Sequence, residues 1–307
     1  MEGLNSTIVP LNDFQIGLIS DENLIPQMFK FLSGRNDAVF LESNIMAVGT
    51  LRDDGSHFSA TYAGIFDSSR NLKAIAAHCW NGNILISADT GVPPNEISSL
   101  VRVVFENSPS DRSISGFLGT PWAVEACLNL VDKQHSSISD CKMYNCNSAS
   151  LVSFSNVDIT ARIASVKDID IVSIWRRDFM KECLDISVEN TEARKQMLNQ
   201  IEGSHLWVLE NEDTLLAMAS VIAETEDRFM IGNVFTPPEY RSRGYGKQII
   251  SGLVSGAMQN NPSFSTALLF TDRPAGVKVY NAVGFRECGF YKMVLLHEPA
   301  TSVAKNR

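Results

Sequence analysis

Between Tyr240 and Leu253 the chain reads YRSRGYGKQIISGL, which crowds Arg241, Ser242, Arg243, Gly244, Tyr245, Gly246 and Lys247 into one turn before an apolar helical pattern. Pro237 and Pro238 stand just ahead of it. Glycine opens backbone conformations closed to other residues and leaves no Cβ between a ligand and the main chain. The first N–H groups of a helix lack intrahelical partners and sit at the positive end of its dipole. With Arg241, Arg243 and Lys247 alongside, these groups form a cradle for a phosphate. Two common phosphate loops fail on spacing. A Walker A loop needs glycine where Arg241 stands and Ser or Thr at Gln248, and a dinucleotide fingerprint needs glycine at Ile249.

Apolar spacing defines the elements that must hold this turn in place. A boundary near Asn156 divides the chain into units 1–156 and 157–307. In the second unit strands are expected at 158–164, 205–211, 215–224, 228–235, 265–271 and 290–296, with helices at 168–184 and 191–201. Ile249, Ile250, Leu253, Val254, Ala257 and Met258 share one face of the helix that follows the turn, and Asn260–Asn261–Pro262 ends it. A short helix at 275–283 stops at Gly284. The first unit repeats this order loosely: helices at 24–34 and 38–49, strands at 60–67, 72–80 and 82–89, a helix at 95–107, a strand at 114–120 and a helix at 122–131. An alternating, strand-like segment precedes Asn156. The class is α/β (α+β), a mixed central sheet flanked by helices and built from two tandem halves.

The order strand, Pro-Glu-Tyr-Arg, x-x-G-x-G, helix, strand and VYNAVGF resembles the GNAT superfamily of acetyl-CoA-dependent acyltransferases. VFTPPEYRSRGYGKQII and KVYNAVGFRECGF carry the resemblance, which runs from about Ile159 to Leu296. The first half looks like the degenerate amino-terminal GNAT-like domain of two-domain members. The resemblance implies that the backbone of Val234, Phe235 and Thr236 pairs with the pantetheine arm, and that Ser242 through Lys247 hold the pyrophosphate. It implies that Tyr280 protonates the departing thiolate. Arg273 stands where members often keep an asparagine that contacts CoA, and is a candidate for a phosphate instead. Glu224 and Glu226 remain as candidates for the general base, or as two solvated acids in a turn. The implied reaction moves acetyl from acetyl-CoA to a small-molecule or peptide amine by direct attack; the alternative is a CoA-binding sensor or scaffold without turnover.

Bulk properties narrow the classes. Of 26 basic and 35 acidic residues, 9 and 16 fall in 1–156 and 17 and 19 in 157–307, so the halves carry −7 and −2 of the net −9. Nucleic-acid binding is not expected from such a balance. Six scattered cysteines complete no metal-site spacing, so no metal is expected. No apolar run has the length of a membrane span, and the amino terminus lacks a secretory pattern, so a cytoplasmic monomer or homodimer is expected. His78, beside Cys79 and Trp80, reads as half-buried packing. Gly252 and Gly256 read as a site of close helix–sheet contact, and Gly116 and Gly119 as a strand–helix corner without phosphate chemistry.

Overall fold

A computed structural model describes residues 14–132, 135–154 and 156–304; the amino-terminal residues read for a targeting pattern lie almost wholly outside these. The first half contains β1 (Phe14–Leu18), α1 (Ile25–Leu32), α2 (Val39–Val48), β2 (Ala60–Asp67), β3 (Leu72–Cys79) and β4 (Asn83–Ala88). It continues with α3 (Pro94–Glu106), β5 (Ile114–Gly119), α4 (Pro121–Cys127) and β6 (His135–Asn147). The second half begins with β7 (Thr160–Ile163), α5 (Ile169–Leu184), α6 (Asn190–Glu202), β8 (Leu206–Asn211), β9 (Thr214–Glu224) and β10 (Arg228–Phe235). It ends with α7 (Tyr245–Asn260), β11 (Thr266–Thr271), α8 (Pro274–Val283) and β12 (Arg286–Ala300).

All these strands join one 12-stranded sheet in the order β1-β2-β3-β4-β5-β12-β6-β11-β10-β9-β8-β7. The expected mixed sheet is therefore present and runs continuously through both halves, with β4–β5 and β10–β11 parallel. The order contains an exchange. The last strand of each half pairs with the penultimate strand of the other, β12 on β5 and β6 on β11, and the two last strands pair with each other. A chain division near Asn156 falls in the connection between β6 and β7, but in space the sheet is not divided there. The strand-like alternation before Asn156 is not a strand: residues 148–154 form turn and coil, and the strand is β6, just upstream.

Helices α1, α2, α5 and α6 cover one face of the sheet and α3, α4, α7 and α8 the other, as the core clusters record. The centre of the first half is buried on both faces. In β3, Ile75, Ala77 and Cys79 pack beneath α1 and α2, while Ala74 and Ala76 pack beneath α3. This corrects the half-buried reading of His78, which is fully buried, with Nδ1 2.9 Å from Ser108 Oγ and Nε2 3.3 Å from the Ser113 carbonyl. Burial pulls its imidazole down to about 4, so it stays neutral at physiological pH. On α7, a Cβ at Gly252 would collide with Ala161 and one at Gly256 with the Trp207 ring, so close helix–sheet packing accounts for both glycines.

The halves also share a buried ion pair. Arg228 of β10 donates to Glu42 of α2 at 2.7 Å, with only 6% and 9% of the two side chains exposed. Ser43 Oγ accepts the Glu224 N–H at 3.1 Å. Helix α2 therefore docks the first half onto β9 and β10 through polar groups that would be costly to leave unpaired.

Two outcomes follow. A 157–307 fragment lacks β6, the strand between β11 and β12, so it should show no cooperative thermal transition by circular dichroism. Adding residues 1–156 as a separate chain should restore one. In the first half Arg112 forks onto Asp53 at 2.6 and 2.7 Å. Burial works against the Asp53 carboxylate, but hydrogen bonds from Arg112 and Thr61 hold its pKa below the usual value. A depressed pKa contributes stability that is complete above the unfolded value of about 3.9 and is lost as pH falls below it. Arg112→Met should lower stability at pH 7 by about 3–5 kcal/mol. It should also flatten the acid side of the stability profile measured by urea unfolding.

Candidate active site

The site begins where β10 and β11 part. Their pairing covers only Arg228↔Thr266, Phe229↔Ala267 and Met230↔Leu268, although β10 runs on to Phe235 and β11 to Thr271. On its other edge β10 follows β9 with a register shift between Gly232 and Phe235. This bulge takes Asn233, at φ 51°, and Val234 out of the ladder. The backbone at Asn233 and Val234 is thereby left beside an open slot. Val234 faces the α7 side, whereas Phe235 is buried on the opposite face, 6.3 Å from the Trp175 ring. Pro237 cannot donate a ladder hydrogen bond, which ends the strand.

The turn follows directly. Ser242 (φ 63°) and Gly244 (φ 87°) both lie in the left-handed region, and Gly244 is the N-cap of α7. Alternation into that region gathers successive N–H groups into an anion-binding concavity. The helical ladder starts only at Lys247, whose N–H donates to the Gly244 carbonyl at 3.1 Å. A Cβ at Gly244 would meet no protein atom within 4 Å, so that side of the turn faces open space. This cradle suits a pyrophosphate.

The basic residues take up different tasks. Arg241 pairs with Glu182 at the end of α5 (2.6 Å) and donates through Nε to the Thr236 carbonyl at 2.9 Å. Arg273 donates to the Glu182 carbonyl at 2.7 Å. Both turns at the mouth of the slot, after β10 and after β11, are thus tied to the same helix end. Lys247 lies 5.0 Å from the Phe154 ring centroid, over its face. Arg243 is exposed, with no ion pair among the described residues. Glu182, Asn233 and Phe154 were not singled out in the sequence, because nothing in their own segments marks these partners.

Tyr280 lies on α8, half-buried, its ring 6.1 Å from Phe285. A Cβ at Gly276 would crowd this ring, so the glycine one turn earlier keeps its place open. Burial pushes the phenol up to about 12, with Cys183 raising it further and Arg273 lowering it. It therefore stays protonated, as a proton donor must. The structure does not bring Glu224 or Glu226 to this end. Glu224 pairs in register with Phe229 at the start of β10, six residues and about 20 Å from Phe235 at strand rise. It lies instead in a cleft with His205, 3.6 Å away, while Glu226 lies beyond it in the β9–β10 turn.

In the first half, the strand pair equivalent to β10–β11 is closed. Thr120 N–H donates to the Ile86 carbonyl at 3.0 Å, and its hydroxyl accepts the Ala88 N–H at 3.3 Å while donating to Asp37. A Cβ at Gly119 would strike the Ile86 backbone, so the strands meet without a gap. By topology the counterpart of the phosphate turn is the segment before α3, not the Gly116–Gly119 corner. It carries Asp89, paired with Arg35, where a pyrophosphate would need positive charge.

Comparison with known proteins agrees with this geometry. Residues 170–292 match the acetyltransferase (GNAT) domain family. This stretch is a GNAT acetyltransferase domain. A UPF0039 protein of Schizosaccharomyces pombe is 30% identical over 88 residues, which span 29% of this chain and 58% of that protein. The chain thus matches a little over half of that relative's length. Across nearly the whole chain the fold is similar to a Drosophila protein (TM-score 0.63, 11% identity, 92% of this chain and 98% of that one). It is similar also to a tandem GNAT protein from the clavulanic acid biosynthesis pathway (TM-score 0.54, 10% identity, 92% and 97%). The first half thus completes a tandem GNAT fold, while only the second keeps an open slot and a phosphate turn. Among the described residues no cluster of ligating side chains would hold a metal, and no helix is long and apolar enough to cross a membrane.

Gly244→Val tests the cradle. The added Cβ would meet no protein atom within 4 Å, so the protein should fold, at the cost of a left-handed β-branched residue, about 1–3 kcal/mol. Stabilisation by CoA in a thermal-shift titration should disappear, because the side chain fills the phosphate position.

Proposed function

We propose that the protein is an N-acyltransferase that moves the acetyl group of acetyl-CoA to a primary amine by direct attack in a ternary complex. The observation that carries this reading is the open β10–β11 slot ending at the Gly244 turn, present in one half and sealed in the other. One CoA site per chain follows. The group bound there supplies an activated acyl thioester. Backbone at Asn233, Val234 and Phe235 aligns the pantetheine amides and offers an N–H to the carbonyl oxygen as negative charge develops on it. Residues 242–247 fix the pyrophosphate at the α7 amino terminus. The acceptor nitrogen forms a bond to the acyl carbon as the carbon–sulfur bond breaks. Tyr280 Oη gives its proton to the leaving sulfur, and the amine's proton passes to water.

A second reading, a CoA-binding sensor or scaffold without turnover, draws on the placement of Glu224 and Glu226 away from this end. Among the acids close to the slot, Glu182 is engaged by Arg241, whereas Asp272 is exposed just past β11 and makes no ion pair among the described residues. A water relay to Asp272 supplies the proton acceptor the first reading needs.

Thiol release from acetyl-CoA across a panel of amines separates the readings. Tyr280→Phe should keep CoA affinity within about twofold and cut turnover by roughly 10–1000-fold, the range for loss of one general acid. Because the Tyr280 phenol lies at about 12, the wild-type profile should show no alkaline loss from this group up to pH of about 10. Unchanged turnover in the phenylalanine variant would return Tyr280 to a packing role.

A further inference from the structure

Building on the acyl-transfer reading, we propose that the acceptor amine carries a carboxylate, an α-amino acid being the shortest such acceptor, and that Arg176 binds it. Arg176 projects from the middle of α5 to the bulge of β10. Its Nη1 donates to Asn233 Oδ1 at 2.5 Å and its Nε to Gln196 Oε1 at 2.9 Å. Asn233 immediately precedes Val234, so the guanidinium stands beside the backbone assigned to the thioester. Helix α5 covers the face of the sheet opposite α7, so Arg176 reaches the slot from the side away from the phosphate turn.

Both partners are neutral amides. Three other arginines that reach into this fold meet carboxylates: Arg112 on Asp53 at 2.6 Å, Arg228 on Glu42 at 2.7 Å, and Arg162 on Asp168 and Glu210 at 2.8 and 2.6 Å. Arg176 makes no ion pair among the described residues. The nearest acid acting on it, Glu192, is exposed and accepts instead from Gln196 Nε2 at 2.9 Å. Burial draws the Arg176 guanidinium down to about 10, the direction of a cation short of compensating charge.

Guanidinium offers five N–H donors in a fixed fork, and the two amides use one on Nε and one on Nη1. Nη2 and the second Nη1 donor remain, the pair that grips a carboxylate bidentately. The fork is held before any ligand arrives, since Asn233 Nδ2 is itself bonded to Ser220 Oγ at 3.3 Å. A carboxylate seated there sets an amine one or two bonds away next to the bulge, where attack on the acyl carbon takes place. A polyamine or other purely cationic acceptor would instead bring like charge to a half-buried guanidinium.

Matched acceptors test this: alanine against ethylamine and phenylalanine against phenethylamine, assayed by thiol release with the full-length protein. The amino acids should exceed their decarboxylated partners in kcat/KM by at least about 100-fold, as expected when a half-buried charged group is left unpaired. Arg176→Gln should collapse that preference to within about fivefold through acceptor KM. The KM for acetyl-CoA and the thermal shift with CoA should not change. Arg176→Lys should recover part of the preference, which a merely structural role would not predict. Titration of the CoA-loaded protein with N-acetylphenylalanine and with N-phenethylacetamide gives a readout free of turnover, and only the carboxylate should bind through Arg176. Equal use of amine and amino acid by the wild type, a preference unchanged in Arg176→Gln, or no tighter binding of the carboxylate overturns the proposal. Carboxylate binding through Arg176 without turnover on any amine would instead sink the acyltransferase reading, and the acceptor assignment with it, and leave Arg176 as a carboxylate-binding site alone.

Discussion

Pairing of β6 with β12 is the constraint on which everything else rests. Each is the last strand of its half, and each needs the other half to have two neighbours. Strip either half away and the remaining sheet has an exposed long edge where its centre should be, with rows of unpaired N–H and C=O groups. Two halves that merely abutted could slide or separate. Two that exchange strands share one ladder, and their relative position is fixed by register rather than by surface complementarity.

That fixed position explains how the second half can keep an opening in its sheet. Parting β10 from β11 gives up backbone hydrogen bonds over the last half or more of each strand and leaves polar groups that must find a ligand or water. Rigidity has to come from elsewhere. On one side β11 is held along its whole length by β6, a strand from the first half. On the other, α2 of the first half locks onto β9 and β10 through Glu42 and Ser43. The first half has sealed its own slot with Thr120 and Asp37, and so acts as the brace for a partner that leaves its slot open.

Local elements were legible in the sequence because their causes are local. Apolar spacing located each α-helix among the described residues, glycine marked the Gly284 cap and the β10–α7 turn, and Pro237 with Gly244 marked where a strand had to end and a helix begin. The exchange was not legible, since β6 carries no signal for which strand it pairs with. Register between segments some 150 residues apart is a property of the assembled sheet. Strand direction misled in the same way. Glu224 lies close in sequence to Phe235, but the β9–β10 hairpin places it at the far end of the sheet. His78 was misjudged because alternation cannot distinguish a strand with one wet face from one covered twice.

Charge at the mouth of the slot gives the last step. Basic residues in a glycine turn suggest a loose cationic patch, yet Arg241 and Arg273 both reach the same residue, Glu182, one to its carboxylate and one to its carbonyl. Each comes from a different wall of the opening, so the α5 carboxyl terminus acts as a clasp across it. A clasp of this kind fixes the width of the slot before any ligand arrives, which lowers the ordering cost of binding. It also leaves less free charge than the sequence implies. Arg243, Lys247 and the α7 N–H groups are then the donors open to an arriving phosphate, and the backbone turn, more than the count of arginines, carries the specificity of the site.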